Sequence, residues 1–218
     1  MANAITVGRV CLLFVVIWLM YGGNASVAQW CAAALALIIA LDAVDGWVAR
    51  RYHEVNQFGA IFDIVGDRIV ENVMWIVFAD LDIIPVWVPI MVVSRGFLVD
   101  GLRSAGYEEG MTPFGEHNIM RSPITTWLTA GRFMRALFGC AKAAGFVYLA
   151  MLYAQNLTAD GHGLFFSWFF QFAWWNWLGW FLVWTAVVLT VVRAIPVVVD
   201  AVAYIKSKSS SAASEVDA

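Results

Sequence analysis

Charged residues are scarce in this chain. Only 13% of its 218 residues are Asp, Glu, Lys or Arg, while 62% are hydrophobic. Soluble domains carry about a quarter charged residues, so this composition argues against an ordinary soluble globular protein. It predicts an integral membrane protein instead.

Cysteine is also scarce, and motifs typical of several other protein classes are missing. Cys11, Cys31 and Cys140 stand alone within predicted helices, which argues against a disulfide framework and a zinc site. The sequence has no Gly-rich phosphate loop, Ser-His-Asp set or internal repeat. It also lacks the basic stripe of a nucleic-acid-binding surface, so we expect no nucleic-acid partner.

The chain instead has six apolar runs that are long enough to cross a bilayer. They lie at residues 5–21, 27–48, 60–78, 86–102, 136–154 and 172–199. These runs predict an all-α integral membrane protein with six transmembrane helices in one domain, residues 1–205. The Ser/Ala-rich residues 206–218 are typical of a disordered tail.

Lys and Arg are distributed unevenly around these runs. The connections 22–26, 79–85 and 155–164 contain neither, whereas two of the acidic residues, Asp80 and Asp82, lie in one of them. Because basic connections stay on the cytoplasmic side, we expect both termini to be cytoplasmic. The ends of the second and third runs that meet at residues 49–59 should lie on that side too.

Paired carboxylates occur on two predicted helical faces, with small residues between them. The first face holds residues at i, i+3, i+4, i+7 and i+8: Asp42, Asp45, Gly46, Ala49 and Arg50. The second holds residues at i, i+4 and i+8: Gly59, Asp63 and Asp67. Four negative charges in an apolar chain need compensation, and one or two divalent cations would provide it.

Two interpretations stay open for some charges near these faces. Arg9 follows Asn3 and Thr6 at three-residue intervals, and it could either snorkel to the membrane surface or contact a phosphate. The aspartates could also be neutralised by internal ion pairs, such as Asp67 with Arg95, and serve packing only. We favour the functional interpretation because charges within a membrane segment are costly and usually functional.

Basic residues at the inner ends of the fourth and fifth runs form a second group. Arg95 and Arg103 are eight residues apart, and so lie on one helical face. Arg132, Arg135 and Lys142 follow on the fifth run, and together these cations predict an anion pocket. An inner belt that binds anionic lipid is the alternative for Arg132 and Arg135.

The two acidic faces together read D-x2-D-G-x2-A-R-x8-G-x3-D-x3-D from Asp42 to Asp67, with all eight fixed positions matched. This pattern resembles the CDP-alcohol phosphotransferase family. The resemblance implies a homodimer of six-helix subunits in a bacterial inner membrane, with the active site on the cytoplasmic side. It also implies a transferase of phospholipid biosynthesis that joins a CDP-linked lipid to an alcohol and releases CMP.

The resemblance assigns roles to individual residues. Asp42, Asp45, Asp63 and Asp67 would hold two Mg²⁺ ions, with Mn²⁺ as an alternative, and Asp67 would also be the general base. The residues implied to contact the CDP-lipid, which is CDP-diacylglycerol, are Thr6, Gly46, Ala49, Arg50, Asn56 and Gly59.

The acceptor alcohol is predicted from weaker patterns. Asn3-x2-Thr6-x2-Arg9 and Leu98-x3-Leu102-Arg103 resemble the phosphatidylglycerophosphate synthase branch, whose acceptor is glycerol 3-phosphate. Residues predicted to bind the phosphorylated acceptor are Arg95, Arg103, Arg132, Arg135 and Lys142. A phosphatidylinositol-phosphate synthase would use the same pocket. A cation transporter is the alternative from another class, although its site should lie near the bilayer centre rather than near one face.

Overall fold

The computed structural model describes residues 2–52, 57–107, 131–158 and 163–199, and their side chains except for residues 2–5, 42–52, 57–61, 63, 103–107 and 132. The helices within these ranges are α1 (Ala2–Tyr21), α2 (Ala25–Tyr52), α3 (Gln57–Asp80), α4 (Trp87–Tyr107), α5 (Arg132–Asn156) and α6 (Ala173–Val192). A short 3₁₀ helix, Ser167–Gln171, precedes α6, and helical backbone resumes at 194–199. The predicted all-α class and the six helices are therefore confirmed. The predicted tail, 206–218, lies outside the described residues.

The helices differ in how well they suit a membrane by length and composition alone. Within the described ranges, Phe133–Asn156 and Ala173–Val199 are long and apolar enough to span one, and Thr6–Tyr21 and Ala25–Leu41 are shorter apolar stretches. Helix α3 carries Asp67, Arg68 and Glu71 within its length, and such charges lower its hydropathy. The prediction of six membrane spans therefore stays a prediction.

The described residues divide into two compact units, one within 2–89 and 141–184 and the other within 90–140 and 185–199. In the first unit α1 packs against both α2 and α3. Helices α1 and α3 run parallel, because Arg9 contacts Asp67 and, further along both helices, Tyr21 contacts Asp80 at their ends. The contact between Tyr21 and Asp80 therefore marks one end of this unit, and the contact between Arg9 and Asp67 lies toward the other end.

Helix α2 runs back along α1 toward the end that holds Arg9. The turn between the two helices uses Gly23 at a φ of 64°, which glycine adopts without strain. The Asn24 side chain then accepts hydrogen bonds from the backbone N–H groups of Ser26 at 2.9 Å and Val27 at 3.3 Å, which caps α2. The backbone of the first acidic face therefore lies toward the start of α1.

The first unit has an apolar core that also includes α5. Trp75 on α3 packs edge-on against Phe146 on α5, with their ring centroids 4.8 Å apart. The Tyr153 hydroxyl donates to the Met20 carbonyl oxygen at 2.8 Å, so this part of α5 runs in the same direction as α1 and α3. Leu149, between these two contacts, is fully buried.

Helix α6 packs closely against α5 within the first unit. The position of a Cβ atom on Gly145 would be 3.4 Å from the Val183 backbone. A Cβ on Gly179 would overlap the Tyr148 ring. These two glycines therefore permit the close approach of the two helices.

The second unit has a small core of its own. Val99 on α4 clusters with Ala194 and Val197, which follow α6. The Arg193 guanidinium lies 5.0 Å from the centroid of the Phe138 ring on α5, in range of a cation–π interaction.

Candidate active site

The predicted site begins where α1 crosses α3 at Gly66. Thr6 is 3% exposed and packs directly onto this glycine. A Cβ atom at Gly66 would lie 2.6 Å from the Thr6 Cγ2 methyl and 3.6 Å from Arg9 Nη2. Because real carbon contacts are longer than 2.6 Å, only glycine fits here without movement. The absent side chain at Gly66 allows α1 to approach the residue that follows, Asp67.

Asp67 forms an ion pair with Arg9 across this helix contact. Arg9 Nη2 donates to Asp67 Oδ1 at 2.8 Å, with the Arg9 side chain 2% exposed and that of Asp67 47% exposed. Of the two interpretations of Arg9, snorkelling to the membrane surface does not fit so buried a side chain. The sequence did not indicate this pairing, because the two residues are 58 positions apart.

A second ionic cluster lies one helical turn further along α3. Glu71 is 5% exposed, and its Oε2 atom lies 3.1 Å from Lys142 Nζ on α5 and 3.7 Å from Arg68 Nη1. Lys142, predicted to bind the acceptor, is therefore engaged by a carboxylate. The i, i+4 spacing of Glu71 from Asp67 places both carboxylates on one face of α3, a signal that sequence analysis could have used.

Beyond Glu71 and Asn72, the buried side of α3 is apolar. Met74, Trp75 and Phe78 are at most 1% exposed. Phe146, one turn beyond Lys142 on α5, packs against both aromatic rings. A layer of apolar side chains thus separates the cluster around Glu71 from Asp80 at the end of α3.

The remaining motif residues are described by their backbone only, or not at all. Helix α2 carries Asp42, Asp45, Gly46, Ala49 and Arg50, and α3 carries Gly59 and Asp63. Their helical backbone confirms the periodicity on which the two acidic faces depend. The side chains of these residues lie outside the described part of the chain, as do Asn56 and the side chains of Arg103 and Arg132. Within the described part, no three His, Cys, Asp or Glu residues gather as a metal site.

The other predicted acceptor residues are divided between the two units. Arg95 on α4 is half-buried and Arg135 on α5 is exposed, and both belong to the second unit. Lys142 belongs to the first. The acceptor pocket therefore stays a prediction.

Comparison with known proteins decides the family. A family model described as CDP-alcohol phosphatidyltransferase matches residues 1–192. The chain belongs to this family. Its members are membrane-embedded lipid synthases, and they generally depend on a divalent metal.

Several curated proteins resemble part of the chain. CDP-diacylglycerol–glycerol-3-phosphate 3-phosphatidyltransferase of Bacillus subtilis is 33% identical over 113 residues, 46% of this chain and 58% of that protein. The probable phosphatidylglycerophosphate synthase of Mycobacterium tuberculosis is 29% identical over 155 residues, 69% of this chain and 73% of that protein. CDP-diacylglycerol–inositol 3-phosphatidyltransferase 1 of Arabidopsis thaliana is 64% identical over 28 residues, 13% of this chain and 12% of that protein. The chain spans a little over half the length of the first curated relatives that it matches.

The donor set fits a hard divalent cation. Carboxylate oxygens are the ligands that Mg²⁺ prefers, and the two acidic faces supply them from α2 and α3. The one described member, Asp67, keeps nearly half of its side chain exposed despite its contact with a buried arginine. A cation could therefore reach this carboxylate.

Proposed function

We propose that this protein transfers the phosphatidyl group of CDP-diacylglycerol to glycerol 3-phosphate, releasing CMP and forming phosphatidylglycerophosphate. The observation that carries the proposal is the complete acidic motif in a chain of this family, with Asp67 accessible at the α1–α3 contact. The names of the bacterial relatives support glycerol 3-phosphate as the acceptor.

Asp67 is the proposed general base. It takes the proton from the acceptor hydroxyl as that oxygen bonds to the phosphatidyl phosphorus. The bond from this phosphorus to the oxygen that bridges it to CMP breaks, and CMP leaves with that oxygen. The proton then passes from Asp67 to water.

The proposed metal ligands are Asp42, Asp45, Asp63 and Asp67, which would hold two Mg²⁺ ions, with Mn²⁺ as the alternative. Bound there, the cations supply charge neutralisation at the diphosphate and at the departing CMP. The residues proposed to contact CDP-diacylglycerol are Thr6, Gly46, Ala49, Arg50, Asn56 and Gly59.

For the acceptor phosphate we propose the arginines Arg95, Arg103, Arg132 and Arg135, whose charge would screen the acceptor as it meets the diphosphate. Lys142 belongs to the same proposed pocket. Because Lys142 contacts Glu71, its binding to a phosphate would require an exchange of partners.

The proposed setting is a homodimer in a bacterial inner membrane. Six spans would place both termini and the site on the cytoplasmic side, where glycerol 3-phosphate and water-soluble CMP can enter and leave. The distribution of Lys and Arg supports this orientation. Light scattering of the purified protein, corrected for detergent, would give the mass of two chains if the dimer is correct.

An acceptor panel tests the proposed reaction. The purified full chain is supplied with CDP-diacylglycerol and Mg²⁺, and CMP release is measured with glycerol 3-phosphate, inositol phosphate, inositol or serine. We expect release with glycerol 3-phosphate. Release with inositol phosphate alone would identify the second candidate, a phosphatidylinositol-phosphate synthase. Inositol is in the panel because the Arabidopsis relative is named as an inositol 3-phosphatidyltransferase.

The same assay tests the role of Asp67. Asp67→Asn should abolish CMP release while the protein stays folded. Asp80→Asn is a matched control, because it makes the same change at the other end of α3, and it should retain activity. If no acceptor yields CMP with the wild-type protein, the enzyme proposal is wrong, and Mg²⁺ flux into liposomes would then test the transporter alternative.

A further inference from the structure

Polar contacts between described side chains join α1 to α3 at two levels along the helices. Arg9 contacts Asp67, and Tyr21 contacts Asp80. The contacts are 12 residues apart on α1 and 13 on α3, which corresponds to about 18 to 20 Å along the helices. The first of these contacts is an ion pair with a residue of the acidic motif.

The burial of Arg9 is not explained by helix packing alone. A guanidinium that is 2% exposed is costly to desolvate, and an apolar side chain of similar size usually packs at least as well. Arg9 lies beside Gly66. Because α1 approaches α3 closely at Thr6, the Nη2 atom of Arg9 reaches Asp67 Oδ1. The buried charge therefore acts on Asp67, whose own side chain faces the accessible side.

We infer that Arg9 is a positioning residue for Asp67: its guanidinium fixes the orientation of the carboxylate, and its charge weakens the attraction of that carboxylate for a divalent cation. This inference rests on the proposed function, in which Asp67 is both base and metal ligand. A planar guanidinium holds a carboxylate in one orientation better than an ammonium group does. A positive charge 2.8 Å from Oδ1 also opposes the approach of a second cation.

The two effects of Arg9 predict opposite changes in one variant. Arg9→Met preserves much of the side-chain volume but removes both the charge and the donors. The variant should bind Mn²⁺ more tightly, because a positive charge that repels the cation is lost. The gain should be only about three- to tenfold, because Asp67 is half exposed and solvent screens this repulsion. Its turnover should fall by about tenfold or more, because the carboxylate is no longer held in the reactive orientation.

A purely structural role for Arg9 predicts a different result. Loosening of the α1–α3 contact would weaken metal binding and slow turnover together. Tyr21→Phe is the matched control, since it removes a polar contact between the same two helices at their far ends. It should change neither Mn²⁺ affinity nor turnover by more than about twofold, because its site is remote from the motif.

Arg9→Lys separates charge from orientation. It keeps a cation near Asp67 but loses the planar donor group. Mn²⁺ affinity should stay within about twofold of the wild type, while turnover should fall by about tenfold. This variant also tests the inference if Arg9→Met fails to fold, because wild-type turnover in Arg9→Lys would contradict the positioning role.

The experiment uses purified full-length protein in detergent. Mn²⁺ binding is titrated by electron paramagnetic resonance without CDP-diacylglycerol, and CMP release is measured separately. Tighter Mn²⁺ binding with slower turnover in Arg9→Met supports the inference; weaker or unchanged Mn²⁺ binding overturns it. Combined with Asp67→Asn, Arg9→Met should have a smaller effect on Mn²⁺ affinity than it has alone. A wild-type protein that binds Mn²⁺ but releases no CMP with any acceptor would contradict the proposed function, and the metal titration would still test Arg9.

Discussion

Lys142 Nζ on α5 lies 3.1 Å from Glu71 Oε2 on α3, in the last polar layer before the apolar core. Arg68 approaches the same oxygen at 3.7 Å. The contact connects α5 to the helix that carries Asp63 and Asp67. It therefore helps to hold the framework of the candidate site, whatever further role Lys142 has toward the acceptor.

Breaking this pair from one side should destabilise the protein. Lys142→Met removes the nearer cation from a carboxylate that is 5% exposed, and among the described residues the more distant Arg68 is the cation that remains. We expect the free energy of unfolding to fall by about 2 kcal/mol, which is less than for a fully buried pair because Lys142 is partly exposed. Thermal unfolding in detergent, followed by circular dichroism, would measure it. The double variant Glu71→Gln with Lys142→Met should recover most of the loss, and no recovery would contradict a direct pair.

A methyl group at Gly66 should disturb the α1–α3 contact. Gly66→Ala places a Cβ 2.6 Å from Thr6 Cγ2, and overpacking of this kind costs about 1 to 3 kcal/mol. The melting temperature and CMP release should both fall. Thr6→Ser removes the clashing methyl but keeps the hydroxyl, so it should rescue Gly66→Ala. Equal defects in the single and double variants would show that this clash is not the cause.

Gly179 should be similarly intolerant of a side chain. Its Cβ would overlap the Tyr148 ring, so Gly179→Ala should lower the melting temperature by separating α5 from α6. Gly139→Ala is the matched control, because among the described residues no heavy atom from outside its own helical turn lies within 4 Å of its Cβ position. That change should be neutral or stabilising by up to about 1 kcal/mol, since alanine favours the helix. A Gly179→Ala protein as stable as the wild type would argue against the close α5–α6 contact.

Removal of divalent metal should stop the proposed reaction. After treatment with a chelator, CMP release is expected to disappear, and addition of Mg²⁺ or Mn²⁺ in excess of the chelator should restore it. Chelator already saturated with Mg²⁺ serves as the control for effects unrelated to metal removal. Full activity in the chelated protein would rule out the four aspartates as an essential metal site.

The prediction of the fold from sequence succeeded where local pattern was sufficient. The apolar runs predicted six helices, and each run coincides with one of α1 to α6. Helical backbone across Asp42–Arg50 and Gly59–Asp67 confirms the spacing on which the motif depends. Helix α3 is harder to recognise as a membrane span, because the charges near Asp67 lower the mean hydropathy by which a span is identified.

The sequence by itself determined the helical class, the two acidic faces and the family, because helix periodicity and motif spacing are properties of neighbouring residues along the chain. Only the tertiary structure decided that Arg9 contacts Asp67, that Lys142 contacts Glu71 and that Thr6 packs against Gly66. These contacts join residues 58 to 71 positions apart. They depend on how one helix is placed along another, and that placement results from side-chain packing between helices rather than from any local pattern.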